Sequence, residues 1–148
     1  MGYYVNIVHS TAVLPKENVE EAYTLMCELN QHNDLKTGRR SPHPEGLTGP
    51  HDAIWFAWMP WNYPETMSTA REILEALGFS VRECPEGDLH IEYYDSKTGA
   101  EKVFFEAIGH LVDGVIKWLG EDGDSWVWTF DRETGLEAHY CTCLDAFL

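Results

Sequence analysis

Basic residues are scarce in this chain. Ten Lys and Arg stand against 25 Asp and Glu, a net charge of −15 over 148 residues. Arg39 and Arg40 are the one pair of adjacent bases. Direct nucleic-acid binding needs many Lys and Arg contacts to phosphate, so it is not expected. Long apolar runs are absent as well, and none approaches the roughly 18 residues of a membrane-spanning helix. The opening MGYYVNIVHS lacks a basic segment followed by an apolar one, so no signal peptide is expected. Asn6 stands where an N-myristoylation pattern needs Ser or Thr. Cys27, Cys84, Cys141 and Cys143 do not make a disulfide-dense framework, which predicts a reducing, cytoplasmic setting. There is no Gly-rich phosphate loop, no H-E-x-x-H and no G-x-S-x-G, so no enzyme class is supported and no cofactor is expected.

What is abundant is aromatic. Six Trp and an aromatic share of 13% predict a folded chain with an aromatic-rich core. The length predicts one domain over 1–148.

Residues 3–9 read as a strand rich in β-branched and aromatic side chains. Pro15 then opens a helix, with Val19, Ala22, Tyr23, Met26 and Leu29 as its inner stripe. Residues 32–52 hold three Gly, three Pro and three His without any period, and predict a long irregular loop. Ala53–Trp58 is a candidate buried strand. Pro64 opens a second helix, with Met67, Ala70, Ile73, Leu74 and Leu77 inward and Gly78 as its left-handed stop.

Residues 79–94 predict a hairpin turning at Pro85–Asp88, with Leu89, Ile91 and Tyr93 on one face and His90, Glu92 and Tyr94 on the other. Thr98 and Glu101 form a capping box before a third helix. That helix points Val103, Phe104, Ala107, Ile108 and Leu111 inward and closes at Gly114. Strands at Val115–Leu119, Ser125–Phe130 and Leu136–Cys143 complete a meander, with Trp126, Trp128 and Phe130 on one face and Trp118 beside them. The expected class is α+β, a largely antiparallel sheet with three helices packed on one face.

Candidate chemistry is thin. His139, Cys141 and Cys143 alternate along a strand, but their spacing is not that of a zinc turn, and small thiols packing on a sheet explain them better. His43, His51 and Asp52 lie in the long loop without a partnered nucleophile. A metal-dependent or hydrolytic enzyme would have to use these residues, with His139 and Cys141. Asp122, Asp124 and Glu133 fit positions 1, 3 and 12 of a calcium loop, but Trp126 and Val127 occupy positions that need an oxygen ligand and Gly.

Two surfaces remain. Glu83, Glu86, Asp88, Glu92, Asp95, Glu121, Asp122, Asp124, Asp131 and Glu133 cluster at turns and strand edges. Gathered at one end of the sheet, they would make a negative line attractive to a basic cleft. Trp61 and Tyr63, flanked by Pro60 and Pro64, are candidates for exposed contact residues, whereas Trp55 and Phe56 read as core. The expected function is a non-enzymatic acidic protein that docks on a basic partner. An oligomeric structural accessory protein is a further alternative.

The segments MGYYVNIV, LPKENVEEAYTLMCELN and GEDGDSWVWTF resemble small acidic proteins of actinobacteria and their phages. The resemblance brings no catalytic residues. It implies an accessory or phage-encoded role, such as an inhibitor or nucleic-acid mimic acting on host nucleic-acid or defence machinery.

Overall fold

The computed structural model describes residues 2–40 and 46–141, apart from the side chain of Cys141. The first strand, β1 (Tyr4–Ser10), leads through β2 (Val13–Leu14) into α1 (Val19–Glu28). A short pair, β3 (Gly38–Arg39) and β4 (Ile54–Trp55), brackets the long loop, and α2 (Tyr63–Thr66) and α3 (Ala70–Leu77) follow. Then come β5 (Ser80–Glu83), β6 (Leu89–Tyr93), β7 (Asp95–Lys97) and α4 (Glu101–Ile108). The meander β8 (Val115–Gly120), β9 (Ser125–Asp131) and β10 (Gly135–Cys141) closes the described chain. The class is α+β, and every paired strand is antiparallel.

The largest sheet has the order β10-β9-β8-β1-β7, and a second has β2-β6-β5. The two are joined along the chain. Residues 89–97 run antiparallel to residues 4–14, with Ile7 N–H on Tyr94 O at 2.9 Å and Ile91 N–H on Ala12 O at 3.0 Å between the two ladders. The N-terminal strand is therefore internal, with partners on both edges.

The inner face of this strip is aromatic, as the composition predicts. Trp118 and Trp128 meet at 4.9 Å between ring centroids, and Tyr94 meets Trp118 at 5.5 Å. The helix α4 lays Phe105 on Trp128 (5.6 Å) and Phe130 (5.9 Å), and Phe104 on Phe56 (5.1 Å) and Tyr63 (5.7 Å). Such tilted and edge-on pairs suit the ring quadrupoles and add to the burial of large apolar areas. The indole N–H groups of Trp118 and Trp128 have no hydrogen-bond acceptor among the described residues.

Several local expectations change. The helix predicted from Pro64 to Leu77 is two helices. Thr69 breaks it, because its side chain accepts from Glu72 N–H at 3.1 Å while Glu72 Oε1 accepts from the Ser68 hydroxyl. T-A-R-E is a capping signal inside the apolar period, and the period alone conceals it. Gly78 does stop α3, with φ 119°.

The long loop is not wholly irregular, since β3 pairs with β4 and a 3₁₀ turn covers Asn33–Leu35. The strand expected over Ala53–Trp58 is confined to Ile54–Trp55. Pro15 leads into a 3₁₀ turn, Lys16–Asn18, ahead of α1. Thr98 does not cap α4 in the expected way; its hydroxyl and the Gly99 N–H both bond the carboxylate of Glu101, which is itself buried.

Tyr93 and Tyr94 exchange the places their alternation assigns. Tyr93 is 47% exposed and Tyr94 fully buried, because the pairing slips between Ser80 and Val81 and the chain passes into β7 just beyond Tyr94. Phe105 is buried in α4, whereas Val103 and Ala107 are half-buried.

Candidate docking surface

The acids do not form one line. Antiparallel strands place successive turns at opposite ends, so Glu121, Asp122 and Asp124 (the β8–β9 turn) lie at one end and Asp131 and Glu133 (the β9–β10 turn) at the other. Seven residues of β9 separate these ends by roughly 20 Å. Glu83, Glu86 and Asp88 belong to the β5–β6 hairpin of the second sheet.

Most of these carboxylates serve their own fold. Asp122 accepts from the Tyr3 hydroxyl, and Glu121 from Tyr4 N–H at 2.9 Å. Asp131 accepts from the N–H groups of Glu133 (2.7 Å) and Thr134 (3.1 Å), which holds its carboxyl below the usual range. Asp88 accepts from Lys16 N–H at 2.7 Å, Glu92 pairs with Arg82 at 3.0 Å, and Asp95 accepts from the Tyr93 hydroxyl. Glu83 lies 3.9 Å from Arg71, and a hydrogen bond from Cys84 lowers Glu86. They secure turns and edges, and their negative charge surrounds the molecule on several sides.

The aromatic candidates separate. Trp61 is exposed, at 37%. Tyr63 is not a contact residue: it is fully buried between Phe56 and Phe104, and its hydroxyl donates to Met26 O at 2.6 Å. Burial pushes its phenol well above the ordinary range. Trp55 is half-buried and Phe56 buried.

Trp58, expected at the end of a buried strand, is instead the second exposed tryptophan. It is 49% exposed and has φ 72°, the one positive φ among the described non-glycine residues. A bulky side chain rarely adopts this conformation, and holding it costs on the order of 1–3 kcal/mol. Two turns hold it there, with Met59 N–H on Phe56 O at 3.0 Å and Tyr63 N–H on Pro60 O at 3.3 Å. Met59 and Tyr63 are the buried feet, while Trp58, Pro60 and Trp61 face solvent.

The Trp58 ring is seated as well as exposed. It lies so close over Gly99 that a Cβ there would fall 2.3 Å from Trp58 Nε1. Burial raises the phenol of Tyr94, the Trp58 indole acts against that rise, and the Tyr94 hydroxyl donates to Lys97 O at 2.6 Å. The sequence W-M-P-W gives a partial signal through its prolines, but nothing in it foretells a left-handed tryptophan.

A polar platform supports the other tryptophan. Asn30 Nδ2 donates to Trp61 O at 2.9 Å. Lys36 is 2% exposed and donates through Nζ to Asn30 O and Asn33 Oδ1, each at 2.8 Å, with the Phe56 ring 5.7 Å away. No carboxylate of the described residues pairs with this ammonium, and burial lowers its pKa. Asn33 Nδ2 reaches Leu47 O and Gly49 O, which ties the loop to the same platform.

Among the described residues, the histidine candidates His51 and His139 have separate partners. His51 Nδ1 accepts from Ala53 N–H at 3.0 Å, and Asp52 pairs with Arg40 at 3.1 Å. This arrangement fixes the loop and presents no nucleophile. His139 Nε2 lies 3.2 Å from Thr129 Oγ1 and 3.7 Å from Glu137. His43 and Cys143 lie outside the described residues, as does the Cys141 side chain. Among the described residues, no three His, Cys, Asp or Glu side chains are grouped to hold a metal ion, and no helix is long and apolar enough to cross a membrane.

No protein-family model, curated protein or solved structure matches the chain.

Proposed function

We propose that this protein is a non-enzymatic binding module that docks on a basic surface of another protein. The observation that carries the reading is the knuckle Trp58–Pro60–Trp61, two exposed tryptophans on a doubly anchored and strained turn. Tryptophan dominates the energetic centres of protein interfaces, and a ring already fixed in place loses little entropy on binding. The net charge of −15 supplies long-range attraction to a cationic partner and speeds encounter. Contact specificity then rests on the knuckle, and not on imitation of a phosphate backbone, because the acid turns stand apart. Action on host nucleic-acid or defence machinery, through a basic protein there, is the setting the resemblance suggests. Free Cys27 and Cys84 agree with a reducing compartment.

The test is capture of partners from host extract at about 50 and 500 mM salt by wild-type protein and by the W58G/W61A pair, followed by titration of the purified partner. A basic partner that is lost with the tryptophans, and whose affinity drops steeply with salt, supports the reading. Equal capture by the variant, or an affinity indifferent to salt, overturns it. Stoichiometric zinc in the purified protein would favour hydrolytic chemistry, and a self-associated mass that depends on the same tryptophans would favour a structural oligomer.

A further inference from the structure

The largest sheet ends in β10, whose pairing with β9 runs without a slip over seven residues. The Gly120 N–H on Asp124 O at 2.8 Å sets which backbone groups face which neighbour. Alternate pairs of an antiparallel ladder exchange hydrogen bonds, so Trp126 and Trp128 bond β8 while Val127 and Thr129 turn their backbone groups to β10. Glu137 and His139, opposite Thr129 and Val127, close that ladder. The N–H and C=O groups of Leu136, Ala138 and Tyr140 therefore point away from the sheet. Among the described residues, no strand and no side chain bonds them.

The edges at β5 and β7 are treated differently. On β5, Val81 O accepts from Arg71 at 3.1 Å, and on β7, Lys97 O accepts from the Tyr94 hydroxyl at 2.6 Å. A side chain on an edge carbonyl blocks further pairing, whereas a long uncovered edge is a template for another strand. Gly109 sits beside the Leu136 amide, where a Cβ would fall 2.5 Å from its nitrogen, so glycine keeps that end of the edge clear.

We propose that β10 pairs with β10 of a second copy, antiparallel about a two-fold axis at Ala138, and joins two large sheets into one. The strand selects this occupant because it complements itself. With the axis at Ala138, all seven residues are paired, and Glu137 of each copy stands opposite His139 of the other, a carboxylate beside an imidazole. On the helix side, Leu136 stands opposite Tyr140, which at 69% is the most exposed large apolar side chain among the described residues. The Tyr140 ring already lies 6.1 Å from Trp126, which stacks on Trp118, so pairing carries the aromatic layer across the axis. Moving the axis to Glu137 sets two carboxylates face to face, and moving it to His139 takes the imidazole away from Glu137.

The experiment is sedimentation equilibrium of the full chain, which should show a monomer–dimer equilibrium between about 10 μM and 1 mM. Each copy carries −15, so raising salt from about 50 to 500 mM should tighten the dimer at least about threefold, the opposite of docking on a basic partner. Ala138→Pro removes an outward donor without taking a bond from β9, and should abolish the dimer. Glu137→His sets imidazole against imidazole and should weaken the dimer about fivefold, while the exchange E137H/H139E should restore it. On dimerisation the amides of Ala138 and Tyr140 should gain protection from hydrogen exchange, and those of Val127 and Thr129 should not change. A chain that stays monomeric at about 1 mM, a dimer indifferent to Glu137→His, or protection of Ala138 only in the presence of a different protein would overturn the proposal. Trp61→Ala should leave the dimer intact while it abolishes partner capture, so the two proposals fail separately.

Discussion

The phenol of Tyr3 donates to Asp122 Oδ1 at 2.5 Å, across 119 positions of sequence. This bond joins the N-terminus to the β8–β9 turn, and Tyr4 N–H adds a second tie to Glu121. It acts on both groups. The hydrogen bond to Asp122 pushes the Tyr3 phenol up to about 12, and the same bond holds the Asp122 carboxyl below its ordinary value. In Tyr3→Phe the Asp122 carboxyl should rise toward its ordinary value without reaching it, because Asp124 N–H still donates to it, read by carbon-detected NMR titration. A depressed carboxyl stabilises the fold above its unfolded pKa, and that stability is lost as pH falls through the folded value. The stability gap between wild type and variant should thus be level at neutral pH and close below about pH 4. A gap that widens in acid would contradict the assignment.

Gly99→Ala tests the seat of Trp58. The added methyl group must displace the indole, since the space it needs is taken. Trp58 is half exposed, so the loss of stability should be about 1 kcal/mol, while partner capture should fall as far as it does in Trp58→Gly. Thermal unfolding and the capture assay read the two effects separately. Large destabilisation with capture intact would mean that Trp58 is a packing residue.

Tyr63→Phe keeps the ring and removes the donor to Met26 O. A buried carbonyl without its partner should cost about 1–3 kcal/mol, and Tyr63→Ala about 3–5 kcal/mol through the cavity beside Phe104. Urea unfolding measures both. Were Tyr63 a contact residue, stability would barely move and partner affinity would fall.

Lys36→Met probes the buried ammonium. Loss of the donor leaves Asn30 O and Asn33 Oδ1 without their Nζ bonds, at about 1–3 kcal/mol each. The wild-type curve should also respond to pH. Burial lowers the Lys36 pKa, so above its folded value the unfolded chain binds the extra proton, and stability relative to Lys36→Met should rise with pH toward about 10.4. Comparison with the Met variant cancels the tyrosines that titrate nearby. A pH-independent difference would show that Lys36 is solvated in the folded state.

The legible part of this molecule is its periodic part. Gly78, the β5–β6 hairpin and the three-stranded meander follow from turn chemistry and alternation, which act locally. Trp126, Trp128 and Phe130 share a face because a strand has period two. What escaped depends on distant partners. The strand β7 exists because β1 offers Asn6 opposite Asp95 and Tyr4 opposite Lys97, pairings that no local pattern announces. Tyr94 turns inward because the pairing slips at Ser80, and Trp58 takes its left-handed conformation because flanking turns and Gly99 hold it. The acids show the same limit: their abundance is plain in the sequence, but the strand order decides which of them meet.

The place of β1 also bears on how the chain folds. Its two neighbours in the large sheet, β7 and β8, arrive late, so its ladders span about 90 to 115 positions. Such non-local closure slows folding. During synthesis the first strand must wait with one edge open until Gly120 has left the ribosome, and chaperone dependence should concentrate in that interval.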